Sequence, residues 1–307
     1  MKVRIGVGDV PVLRDQAGAN GQDAGSDLAG LVDDLEARRI DSVWLSDVVS
    51  SPHTVEPLIG LAFAAGRTSR LKLGTGVLVL PGRNPALVAA QLAALASIAP
   101  GRILPSFGLQ PATAADRSMY PVPRGRRGDV FDECLTVIRA LLSQESVDHH
   151  GEFFDFDGAS VAPRPSRPLD LWLGGTLPVA MDRVGRLADG WLGAYVTPTE
   201  AATCRSQIIV AAERAGRAVE DDHYGTNLFL ATEDHDLESA VATAAVCRRD
   251  FADPEQLVCH GWAGARDQLR RFIDAGLTKF VVRPVGAVRS RAEFLDRFAD
   301  ELLPLQT

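Results

Sequence analysis

Leu71-Lys72-Leu73-Gly74-Thr75-Gly76-Val77-Leu78-Val79-Leu80 is the stretch whose reading decides the fold. A run this apolar and this short suits a strand buried on both faces, which is the situation of a parallel sheet covered by helices. Pro81-Gly82-Arg83-Asn84-Pro85 ends it, and the Ala/Leu-rich segment behind it reads as a helix to about Ile98. The same strand-then-helix unit recurs on both sides. Strands are expected at residues 3–8, 42–47, 103–107, 169–173, 190–195, 223–231 and 279–283. Helices are expected from about Ser26, taken as an N-cap, and over 55–66, 129–142, 179–187, 198–215, 237–247, 265–275 and 292–303.

Eight such pairs without a break in composition imply an α/β chain folded as a (β/α)₈ TIM barrel. It is read as a single domain over residues 1–307, and its surplus over the ~250 residues typical of that fold falls in two places. One is the long connection 108–127; the other is a hairpin insertion around 151–161. An open doubly wound sheet is the competing fold, but no GxGxxG follows the first strand.

The chain has 32 Lys and Arg against 40 Asp and Glu, a formal charge of −8. That balance disfavours binding to a phosphate backbone or an anionic lipid surface. No apolar run reaches the ~18 residues of a membrane helix, and the N-terminal residues carry no leader pattern, so a cytoplasmic protein is expected. Cys134, Cys204, Cys247 and Cys259 form no CxxC pair. They read as buried free thiols, and no metal site is expected.

In a (β/α)₈ barrel the chemistry sits at the C-terminal ends of the strands, which filters the candidates. Asp47 passes as an acid–base group, with a loop-bracing carboxylate as the alternative. Gly74, Thr75 and Gly76 interrupt an apolar strand, where glycine marks a bulge, a close ligand approach or tight barrel packing. Gly174, Gly175 and Thr176 join a strand to a helix, so their backbone N–H groups could cradle a phosphate. Arg124, Arg126 and Arg127 offer positive charge to an anionic ligand, and His53 is the one histidine near a strand end.

Taken in order, several stretches resemble the bacterial luciferase-like family of flavin- and deazaflavin-dependent oxidoreductases. They are Asp41 to Asp47, Leu73 to Val77 with Arg83-Asn84-Pro85 behind, Gly101-Arg102-Ile103-Leu104, Gly151-Glu152-Phe153-Phe154, Trp172-Leu173-Gly174-Gly175 and Ala188-Asp189-Gly190-Trp191. The variants Leu80 to Pro85 and Arg102 to Gly108 are similar to members that use the 5-deazaflavin coenzyme F420 rather than FMN. The resemblance implies a non-prolyl cis peptide at Gly76-Val77 supporting the ring, with Phe107 and Gly108 also lining the coenzyme site. It implies the side-chain phosphate on Gly174, Gly175 and Thr176; on an acidic chain such an anionic tail would call for a positive patch, and Arg126 of the loop cluster is the expected partner. Asp47 would lie at the ring end.

Members that oxidise a sugar phosphate carry a His after the strand-two Asp, where this chain has Val48. They also carry a Glu beyond strand four, where it reads Gly108-Leu109-Gln110-Pro111. The expectation is therefore hydride transfer between F420 and a small organic substrate, with a separate reductase and a homodimer as partners. The alternatives are an FMN-dependent two-component monooxygenase and a flavin-binding barrel without turnover.

Overall fold

The computed structural model describes residues 2–8, 24–51, 54–111, 115–286, 288 and 290–307. In chain order the regular elements are β1 (Arg4–Gly8), α1 (Ala24–Ala37), β2 (Ser42–Leu45), α2 (Pro57–Arg67), β3 (Lys72–Thr75), β4 (Leu78–Val79) and α3 (Pro85–Ile98). Then come β5 (Ile103–Leu104), β6 (Ser106–Gly108), α4 (Arg127–Ser143), β7 (Val147–His150), β8 (Asp155–Ala159), β9 (Trp172–Leu173) and α5 (Pro178–Leu187). The chain finishes with β10 (Gly190–Gly193), α6 (Pro198–Arg214), β11 (Tyr224–Ala231), α7 (Asp234–Cys247), β12 (Val258–His260), α8 (Gly261–Asp274), β13 (Lys279–Val285) and α9 (Arg291–Leu302).

β3 and β4 are two halves of one barrel strand, and so are β5 and β6. β3 pairs with β5 and β4 with β6, so the register carries across both breaks. Parallel ladders then run from β6 through β9, β10, β11 and β13 to β1, β2 and back to β3. Every neighbour is hydrogen-bonded, so the sheet closes and the expected barrel is present. The expected hairpin is there too, as the antiparallel pair β7–β8.

Three local expectations are corrected. The first helix begins at Ala24, two residues before the expected cap. The third strand is not continuous but breaks at Gly76-Val77, whose peptide bond is cis as the resemblance implied. β12 is an extra short strand on the far end of β11, too brief to leave a periodic signal. Of the four free cysteines, Cys134, Cys204 and Cys259 are buried as expected, whereas Cys247 is exposed.

Alternation along the strands divides the core into two shells. Ile5, Val7, Val43, Leu45, Leu73, Phe107, Leu173, Trp191, Phe280 and Val282 pack outward beneath the helices. Trp44, Trp172, Leu192 and Val281, with Leu104 against them, fill the barrel interior. The two indoles fit because facing positions are glycine: a Cβ on Gly74 would stand 2.5 Å from the Trp44 ring, and one on Gly190 2.5 Å from the Trp172 ring. Each large apolar side chain buried in this way contributes roughly 1.5–3 kcal/mol.

Candidate active site at the C-terminal mouth of the barrel

Above the indole layer the strand ends carry polar groups. Asp47 follows β2, and its side chain is only 1% exposed. Its Oδ2 accepts from the Val79 N–H at 3.0 Å and from Arg83 Nη2 at 2.9 Å, while its Oδ1 accepts from the Tyr120 hydroxyl at 2.8 Å. Arg83 also donates to the Val79 carbonyl and pairs with Glu56, which caps α2. One carboxylate thus ties together the third-strand end, the start of α3 and the long 108–127 connection. Burial works against the Arg83 charge, but Asp47 outweighs it and the guanidinium is held above its ordinary value. Burial, reinforced by Asp47, pushes the Tyr120 phenol well above the ordinary range. Asp47, expected as an acid–base group with loop bracing as the alternative, has its oxygens engaged by three donors and braces the loop.

Gly76 and Val77 are part-exposed although β3 and β4 on either side are almost wholly buried. The Gly76 N–H donates to the Leu45 carbonyl at 2.7 Å, and the Val77 carbonyl accepts from the Asp47 N–H at 3.3 Å. The Val77 side chain reaches toward the next two strand ends. A Cβ on Gly108 would come within 2.4 Å of Val77 Cγ2, and one on Gly174 within 3.3 Å of Cγ1. The Val77 side chain therefore occupies the space that side chains at 108 and 174 would need, and packs against both glycines.

Gly174 donates to the Phe107 carbonyl at 3.0 Å, and the Gly175 carbonyl accepts from Trp191 Nε1 at 2.8 Å. Gly175 is exposed with φ of +114°, which glycine adopts without strain. α5 starts just beyond, at Pro178, with Leu177 as an N-cap that makes no side-chain hydrogen bond. Pro178 has no N–H, and the Ala180 and Met181 N–H groups donate to the Leu177 carbonyl at 2.8 and 3.1 Å, so within this first turn the Val179 N–H is the donor left to solvent or a ligand, and the helix dipole favours an anion there. This helix start follows β9, two strands along from Val77 with β6 between them, and Gly174 at the end of β9 is the point where the two approach.

The other sequence-derived residues divide. Thr75 is fully buried, and its Oγ1 donates to the Ser106 carbonyl at 2.7 Å and accepts from the Ser106 N–H at 2.8 Å, so its hydroxyl serves the strand pairing. Gly74 is accounted for by the Trp44 ring. Phe107 was expected to line the coenzyme site, but its side chain points outward into the helix-facing core, because strand parity turns it away. Arg126 was expected to meet the phosphate. It instead pairs with Glu152 at 2.6 Å and Asp129 at 2.5 Å, with Phe153 beneath its guanidinium, and so fastens the hairpin to α4. Arg127 donates to the Tyr120 carbonyl, and Arg124 is exposed. His53 lies outside the described residues.

The residues missed by sequence reasoning are Ser46, Tyr120, Asn227 and Arg283. Arg283 ends the apolar part of β13, is 7% exposed and donates to Asn227 Oδ1, Ser46 Oγ and the Gly76 carbonyl. A cation inside the run Phe280-Val281-Val282-Arg283 was the available signal.

Residues 6–287 match the sequence profile described as luciferase-like monooxygenase. Among curated relatives, an F420-dependent glucose-6-phosphate dehydrogenase of Kineococcus radiotolerans is 28% identical over 91% of this chain and 92% of its own length. Uncharacterised mycobacterial proteins are 32% identical, but the match spans only 53% of this chain and little more than half of theirs, 56%. Among solved structures, an F420-dependent secondary alcohol dehydrogenase in complex with an F420–acetone adduct superposes with a TM-score of 0.82 at 18% identity, covering all of both chains. The FMN-bound oxygenating constituent of a Pseudomonas putida 3,6-diketocamphane monooxygenase gives 0.74 at 16%, over 100% and 99%. At such identities the superpositions speak for the fold.

Proposed function

Because the chain belongs to the luciferase-like monooxygenase family over residues 6–287, we propose that it is an F420-dependent oxidoreductase acting on a small organic molecule. The observation that carries the reading is the juxtaposition of Val77, Gly108 and Gly174 with the uncapped start of α5. The F420-dependent dehydrogenase that aligns along nine-tenths of the chain supports the same coenzyme.

In this reading Val77 backs the coenzyme ring, seated against Gly108 and Gly174, whose missing side chains leave it room. The backbone N–H groups of Gly175, Thr176 and Val179 receive the phosphate. Bound F420 supplies a ring carbon that gives or takes a hydride, and the barrel contributes orientation and exclusion of water. Arg126 is not assigned to the phosphate, since two carboxylates already hold it. Asp47 is not assigned to proton transfer; the proton comes from water or from His53. The substrate is an activated C=C, C=N or C=O compound, apolar or conjugated. A sugar phosphate is not proposed, given Val48 after the strand-two Asp and the absence of a Glu from Gly108-Leu109-Gln110-Pro111, where the resemblance would have the acid–base pair.

The same proposal has the enzyme as one domain in the cytoplasm, where three buried free thiols stay reduced. Among the described residues no helix is long and apolar enough to cross a membrane. A separate reductase would supply reduced coenzyme. A homodimer is proposed through α2 and α3: Ile59, Phe63, Leu87 and Ile98 are exposed, and Pro85–Ile98 contains no charged residue. A surface helix without a polar face asks for a partner, and Leu87→Glu should convert the dimer to monomer in light scattering.

Fluorescence titration of purified protein with oxidised F420 and with FMN tests the coenzyme. F420 binding at micromolar strength or better is expected. Binding of FMN alone would favour the second reading, a two-component monooxygenase, which the FMN-bound structural neighbour supports. Binding of neither overturns the site.

A further inference from the structure

We infer that Arg283 is the positioning residue of this mouth, fixing the Gly76–Val77 shelf by its carbonyl and so setting coenzyme affinity; the inference rests on the coenzyme reading above. Its guanidinium reaches Gly76 O from Nη2 at 3.0 Å, Ser46 Oγ from Nη1 at 3.1 Å and Asn227 Oδ1 from Nε at 2.7 Å. Ser46 Oγ in turn donates to the same Gly76 carbonyl at 3.2 Å, and Asn227 Nδ2 donates to the Gly193 carbonyl at 2.8 Å. One planar group therefore links β13, β11 and, through Asn227, β10 to the end of β2 and to the break between β3 and β4.

β1 is held clear of it by having no side chain at the top. A Cβ on Gly8 would stand 2.6 Å from Arg283 Cγ and 2.7 Å from Nη1, and a Cβ on Gly76 would stand 2.6 Å from Nη2. Both glycines are thus explained by one arginine lying across the barrel. The arrangement sits above the Trp44 and Trp172 layer, so it is not part of the apolar core that holds the barrel together. What it does hold is the peptide that turns Val77 toward Gly108 and Gly174. A carbonyl fixed by two donors from different strands cannot swing, and the side chain attached to the following residue keeps its height.

The fork geometry matters as much as the charge. A lysine ammonium at 283 keeps the positive charge but is a single point that cannot span three acceptors on three strands. Arg283→Lys and Arg283→Met should therefore both weaken F420 binding at least tenfold, about 1.4 kcal/mol, and shift the visible band of the bound coenzyme. Ser46→Ala and Asn227→Ala each remove one leg and should weaken binding two- to fivefold. Neither should add its effect to that of Arg283→Met, because the legs act through the same group.

Wild-type binding of F420 is measured first. If the wild type binds neither F420 nor FMN, the coenzyme reading falls and this inference with it. If the wild type binds and Arg283→Lys binds equally well with an unshifted spectrum, positioning by the fork is refuted while the coenzyme reading stands. A change confined to melting temperature, with unchanged affinity of the folded fraction, refutes it as well. Should the Arg283 variants fail to fold, Ser46→Ala and Asn227→Ala decide alone: unchanged affinity and spectrum in both overturns the inference.

Discussion

Replacing Asp47 with alanine strips three donors of their acceptor at once. The Val79 N–H and the Tyr120 hydroxyl lose partners 3.0 and 2.8 Å away, and Arg83, whose side chain is 22% exposed, is left without its nearest counter-charge. Breaking a buried ion pair by removing one member costs about 3–5 kcal/mol, and the partial access of Arg83 to water places this case near the lower figure. For a chain of 307 residues, about 3 kcal/mol corresponds to a fall in Tm of about 5 °C. Asp47→Asn keeps an oxygen for Val79 and Arg83 and turns its amide toward the Tyr120 oxygen, so a loss of about 1–2 kcal/mol is expected. Tyr120→Phe removes one leg, about 1 kcal/mol, and should couple with Asp47→Asn in a double-mutant cycle. Thermal unfolding by circular dichroism reads all three. A Tm for Asp47→Ala within 1 °C of wild type would refute the bracing role. So would an Asp47→Asn protein of normal Tm that, once a substrate is known, turns over a hundredfold more slowly, since that is the signature of lost proton transfer. The Tyr120 phenol adds a pH dependence. Its folded pKa lies above the unfolded value, so its contribution is complete below about pH 10 and fades as pH climbs through the raised value.

Gly175→Asp should abolish coenzyme binding with the barrel intact, because it sets a carboxylate at the proposed phosphate position; unchanged affinity by titration would remove the cradle. Gly74→Ala forces a methyl into the Trp44 ring and should cost about 1–3 kcal/mol, measured as a lower urea midpoint, and an unchanged midpoint would show that the indole can move. Lys279 is buried at the opposite end of the barrel, and burial lowers its pKa to about 8. The unfolded amine titrates near 10.4, so stability should rise as pH goes from about 8 toward 10. Lys279→Met should then raise Tm by about 2–3 °C at pH 7, from about 1–2 kcal/mol, and by much less at pH 10; a lower Tm at pH 7 would mean that the charge is satisfied.

The barrel was legible because strands covered on both faces leave continuous apolar runs, and 71–80 is the clearest of them. The hairpin was legible in the stretch Val147 to Phe156, where Gly151 separates two short runs. Asp47 was placed correctly at a strand end, yet its role is fixed by Arg83 and by Tyr120, 73 positions further on, and no local pattern announces such partners. Phe107 shows how one step of strand parity separates a core residue from a site residue. Arg126 looked free for a phosphate until folding brought Glu152 beside it. Arg283 was visible only as a charge in an apolar strand, and its inward direction follows from register with Asn227 and Gly76, which only the closed sheet defines.

The paired indoles in the barrel interior set the traffic of the site. Trp44 and Trp172 are 0% and 2% exposed, and together with Leu192 and Val281 they stopper the vessel at mid-height. Among the described residues this layer fills the barrel interior, so the proposed coenzyme and substrate would both bind on the mouth side of it.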